Sequence, residues 1–96
     1  MGISKVEIAL DVLVALVIQT GAGGKIPPQD ELARQMGISR TVLREALSKL
    51  EFLNVVQIRP KLGTVVSAPN DWKTRNDEVI EWKARMGGVR TRYTRE

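Results

Sequence analysis

A chain of 96 residues has room for one small hydrophobic core, so a catalytic cleft would have to share that core's residues. Cysteine and histidine are both absent, which removes the thiolate, the commonest general base and the commonest metal ligand, so no enzyme activity, cofactor or metal site is expected. At 43% hydrophobic and 27% charged residues the chain reads as globular, and its net charge of +4 leans toward a polyanionic partner.

Residues 4–19 read as a helix, with Ser4 as N-cap, Glu7 placed as in a capping box and Gly21 just past the end. The β-branched residues of this stretch would suit a strand, but strict alternation is missing and the length favours a helix. Its apolar run, 8–18, is interrupted by Asp11 and is shorter than the roughly 20 residues that cross a bilayer. Only Lys5 precedes that run and no good cleavage site follows it, so a cytoplasmic chain without membrane attachment is expected. Leu10, Val12, Leu13, Val14, Leu16, Val17 and Ile18 cover nearly the whole circumference, and such a helix calls for burial on two sides. The second partner is either the same helix of another copy, giving a homodimer, or the Trp72–Trp82 segment folded back.

Lys25 to Pro28 reads as a connector, because Gly23, Gly24, Pro27 and Pro28 disfavour regular structure. Residues 29–36 form a short helix with Leu32, Ala33 and Met36 on one face. Gly37-Ile38 is a tight turn, and Ser39 caps a helix running to about Leu53 with Leu43, Ala46, Leu47, Leu50 and Leu53 at helical spacing. Asn54 suits a left-handed residue after that helix. Two short β-runs, 55–58 and 64–67, flank the turn Arg59-Pro60-Lys61-Leu62-Gly63. Beyond Pro69 a mostly polar segment carries Val79, Ile80 and Trp82 on a short helix that Gly87-Gly88 is expected to end. Trp72 and Trp82 suit anchoring on the core better than stacking on bases. The last residues, with Arg90, Arg92, Tyr93 and Arg95, read as a basic tail that is either disordered or in contact with phosphate.

The order helix, helix, tight turn, helix, strand, basic turn, strand describes a winged helix-turn-helix, a mainly α fold with a small two-stranded β-wing. Residues 1–68 form this domain, with its wing at about 55–67, and 69–96 a linker-like segment with a short helix and the basic tail. A helix of this kind fits the major groove, and its leading turns reach base edges. With Leu43 and Leu47 turned to the core, Arg40, Thr41 and Arg44 point away from it. Arginine can grip guanine O6 and N7, Thr41 can bond a phosphate and Val42 can touch a thymine methyl. The expected DNA-binding residues are therefore Ser39, Arg40, Thr41, Val42 and Arg44 on helix 39–53, in the major groove, and Arg59, Lys61, Gly63 and Thr64 on the wing, along the backbone and minor groove. A winged-helix module that binds protein instead of DNA is the alternative.

Residues 26–66 resemble the N-terminal domain of the GntR family of bacterial transcription regulators. The matching stretches are Ile26-Pro27, Glu31-Leu32-Ala33, Ile38-Ser39-Arg40-Thr41-Val42-Leu43-Arg44-Glu45-Ala46-Leu47, Leu50-Glu51, Ile58-Arg59-Pro60 and Gly63-Thr64-Val65-Val66. Asp71-Trp72 and Asp77 to Trp82 resemble the linker that opens the effector domain in the FadR-type branch. The resemblance implies a transcription regulator that binds double-stranded DNA, with Arg40, Thr41, Arg44 and Gly63 on DNA-contacting positions; a homodimer formed through the apolar first helix would call for a palindromic operator.

Two departures stand out. Where the family reads Pro-Ser-Glu-Arg-Glu-Leu-Ala, this chain has Pro27-Pro28-Gln29-Asp30-Glu31-Leu32-Ala33. The capping serine is missing, and Asp30 replaces an arginine that contacts DNA in the family. Asp30 is then either a partner for the helix dipole or an acceptor for cytosine N4. Family members also carry a larger C-terminal sensing domain, so no small-molecule effector is expected for this chain.

Overall fold

A computed structural model describes residues 4–74 and 76–95, with side chains described as far as residue 86. Helix α1 covers Lys5–Thr20, begun by Ser4, whose hydroxyl accepts the Glu7 N–H at 3.1 Å, and ended by Gly21 at φ 84°. A hydroxyl cap of this kind satisfies one of the amides that a helix start leaves without a partner. Ala9, Leu13, Val14 and Val17 form its buried stripe. Helix α2, Gln29–Met36, starts after Pro28, which occupies the N-cap and makes no side-chain bond, as the missing serine requires. Helix α3, Arg40–Phe52, is capped by Ser39, whose hydroxyl accepts the Val42 N–H at 3.1 Å. Asn54 follows it at φ 62°, the left-handed conformation expected there.

The two-stranded wing is present, but the connector expected to lack regular structure supplies a third strand to it. Strands β1 (Lys25–Ile26), β2 (Val56–Arg59) and β3 (Gly63–Val66) make one antiparallel sheet in the order β1-β3-β2. Lys25 lies opposite Val65 and Ile26 opposite Thr64. Just before β1, Gly23 donates to the Val66 carbonyl at 2.8 Å, and Val66 donates to that of Gly24 at 2.9 Å. Pro27 and Pro28 lie past the paired residues, so their missing N–H groups remove nothing from the ladder. This third strand ties the link between α1 and α2 to the wing.

The core lies between α1, α3 and the sheet. Leu13, Val17, Leu43, Leu47, Leu50, Val55, Val56 and Val66 are all fully buried. Complete burial of one such side chain contributes about 1.5–3 kcal/mol before entropy is counted. After β3, a single 3-10 turn at Pro69–Asp71 leads to Trp72, which is buried and donates its indole N–H to the Ser67 carbonyl at 3.1 Å. Lys73 then donates its backbone N–H to the Leu53 carbonyl at 2.8 Å.

Helix α4 spans Asp77–Arg95 and packs on α1 through its first half, with Val79, Trp82 and Met86 buried in the same hydrophobic cluster. Both tryptophans are therefore anchors. Gly87-Gly88 does not end the helix, contrary to expectation. Each glycine weakens a helix by about 1 kcal/mol relative to alanine without forbidding it. The side chains of Arg90, Arg92, Tyr93 and Arg95, and with them the phosphate contact considered for the tail, lie outside the described residues. With α4 covering part of α1, the outward strip of α1 narrows to Ile8 and Val12, 50% and 45% exposed.

Candidate nucleic-acid interface

The front of α3 is built by the turn that precedes it. Gly37 takes the left-handed conformation, φ 69°, and donates to the Arg34 carbonyl at 3.2 Å, while Ile38 donates to that of Ala33 at 3.1 Å. A side chain at Gly37 would be strained by that φ whatever space surrounds it. Ala33 is buried where α2 meets α3. The closed turn and the Ser39 cap together fix the direction in which α3 leaves.

On α3 the two faces separate cleanly. Leu43, Ala46, Leu47 and Leu50 are buried, whereas Arg40, Thr41, Arg44 and Glu45 are exposed. Ser39 is exposed as well, although its hydroxyl oxygen already serves the cap. Val42 is half-buried and packs partly on the core, so it offers only an edge to the outside.

Sequence reasoning missed the partner of Arg40. Its Nη1 donates to Asp30 Oδ1 at 2.9 Å, across the helix-turn-helix from the first turn of α2. The side chains are 68% and 73% exposed, respectively, and this is the one ion pair within 4.0 Å among the described residues. So exposed a pair contributes about 0–1 kcal/mol to folding, too little to account for it as a stabilising device. Asp30 does stand in the first turn of α2, where a carboxylate suits the helix dipole. The signal available beforehand was weak: an acid in one helix and an arginine at the start of the next.

The wing carries a different set. Arg59 and Gly63 face each other at the ends of β2 and β3, and Gly63 has φ 91°. Arg59 donates through Nε and Nη2 to Gln57 Oε1, at 3.2 and 2.6 Å. Gln57 and Arg59 are two apart on one strand, hence on one face, so the period of a strand could have revealed this partner. Lys61 and Leu62 project at the tip, both exposed. Thr64 is the exception among the expected residues: at 5% exposure it faces the interior, because inward and outward positions alternate along β3. Its side chain is removed from the site.

The model of the bacterial regulatory proteins of the gntR family matches residues 9–66, which contain the whole of this surface. The chain belongs to the GntR family. Its match to the HTH-type transcriptional regulator YieP of Escherichia coli K12 is 37% identical over 60 residues, covering 62% of this chain and 26% of YieP. Its match to the Uxu operon transcriptional regulator of the same organism is 40% identical over 53 residues, covering 53% of this chain and 21% of that protein. The chain thus spans about a quarter of the length of these relatives. Among solved structures, Streptococcus agalactiae GntR superposes with a TM-score of 0.61 at 31% identity, over 69% of this chain and 33% of that one. These GntR relatives are named as regulators, not enzymes. The family match and the superposition agree with the winged helix-turn-helix seen here.

Proposed function

We propose that this chain is a sequence-specific, double-stranded-DNA-binding transcription regulator. The observation that carries the reading is the front of α3, where Arg40, Thr41 and Arg44 stand exposed while the opposite face of the same helix is buried. In this reading α3 enters the major groove with Arg40 and Arg44 toward base edges and Thr41 toward a phosphate. Ser39 places the helix N-terminus, with its partial positive charge, beside the backbone, and Val42 offers a methyl edge. Arg59, Lys61 and the backbone at Gly63 hold the sugar-phosphate beside the adjacent minor groove. Residues 1–68 are the binding unit and 69–96 the segment that leads away from it. Ile8 and Val12 on the outer side of α1 support a homodimer and, with it, a palindromic operator. Among the described residues no helix is long and apolar enough to cross a membrane, and a regulator of this kind works in the cytoplasm at the nucleoid.

The same strip on α1 favours, as a second reading, a winged-helix module that docks on protein. Titrating salt against binding to a random duplex separates the two. A DNA binder loses about 0.9 log units of affinity per contacted phosphate for each tenfold rise in salt. Absence of duplex binding, or binding indifferent to salt, contradicts the DNA reading.

A further inference from the structure

The Asp30–Arg40 pair offers a pattern of hydrogen-bonding groups that a lone arginine does not. A guanidinium has five N–H donors, and the bond to Asp30 engages Nη1. Donors enough for a bidentate grip remain on Arg40. On the carboxylate, Oδ1 accepts from Arg40, and Oδ2 has no hydrogen-bond partner among the described residues. Side by side, the two residues therefore present donors followed by an acceptor, on a surface where both are mostly exposed. The major-groove edge of a G·C pair presents the complement: the acceptors N7 and O6 of guanine, then the N4 amino donor of cytosine. An A·T pair presents an acceptor, a donor and an acceptor, which sets its adenine amino group against the donors of Arg40. A phosphate presents acceptors alone and would meet the charge of Asp30.

We infer that Asp30 is a specificity-determining residue, and that Asp30 and Arg40 together read one G·C base pair. This rests on the DNA-binding reading proposed above. The carboxylate holds the guanidinium over guanine, accepts from the cytosine of the same pair, and keeps Arg40 off the phosphates. Because the pair is on the surface, Asp30→Ala and Arg40→Ala both leave the core intact.

The test starts from duplexes enriched out of a random pool by the unaltered chain. At the pair where Arg40→Ala abolishes preference, four duplexes carrying each of the four base pairs are compared by competition at several salt concentrations. Asp30→Ala is expected to reduce the preference for G·C at that same position about tenfold. It should also steepen the salt dependence by about 0.9 log units per tenfold change in salt, as the released Arg40 takes a phosphate. In the Arg40→Ala background, Asp30→Ala should leave the preference unchanged. If Asp30→Ala instead raises affinity for all four duplexes by one factor, Asp30 is only a repelling charge and the inference fails while DNA binding stands. If the unaltered chain enriches no sequence, the DNA-reading site fails, and the pairing with it.

Discussion

The tip of α3 and the tip of the wing both carry arginine, yet each arginine is held in a different way. Arg40 is tied to a carboxylate, which offsets its charge, whereas Arg59 is tied to the amide of Gln57, which leaves its charge whole. Lys61 adds a second cation at the wing, with no ion pair within 4.0 Å among the described residues. A charge left whole suits phosphate, which attracts every cation alike. A charge that is offset and oriented suits base edges, where directional hydrogen bonds decide. On the proposed reading, Arg40 and Arg59 meet different parts of the duplex because their neighbours differ, whereas Arg44, which forms no ion pair among the described residues, depends on its place on α3 to reach base edges.

The most drastic way to break this contrast is to remove the frame that both regions share. Leu50 is fully buried beneath α3, and Leu50→Ala is expected to lower stability by about 2–5 kcal/mol, measured by urea unfolding, with binding lost on all sequences together. Arg44→Ala sharpens the contrast. It should cost about 1–3 kcal/mol on an enriched duplex and much less on a random one, as mobility shifts would record. Lys61→Ala is expected to do the reverse, weakening enriched and random duplexes by similar factors and flattening the salt dependence by about one log unit per tenfold change in salt. The smallest effect belongs to Gln57→Ala. Arg59 keeps its charge without that amide, so affinity and its salt dependence should stay within about 0.5 kcal/mol of the unaltered chain.

Features written locally were legible in the sequence. Ser4 and Ser39 cap the helices they precede, Gly37 makes the turn and Asn54 takes the left-handed conformation, because each depends on residues within one helical turn. The two faces of α3 followed from leucine spacing alone. Strand β1 was not legible, since its two residues become a strand only by pairing with Thr64 and Val65 far along the chain. Thr64 was misplaced for a related reason: which face of β3 turns inward is set by the sheet beneath it. Asp30 offers the most instructive case. Its place in the first turn of α2 could be read, but its bond to Arg40 depends on how two helices meet across Gly37, which no local pattern encodes.

Selection of bound sites from a random duplex pool by the unaltered chain tests the central claim most directly. The account predicts enrichment of a short consensus containing G·C pairs, relaxed at the position that Arg44 reads when the selection is repeated with Arg44→Ala and kept whole, at lower yield, with Lys61→Ala. A retained pool as random as the starting one, or a consensus indifferent to Arg44 but erased by Lys61→Ala, would contradict it.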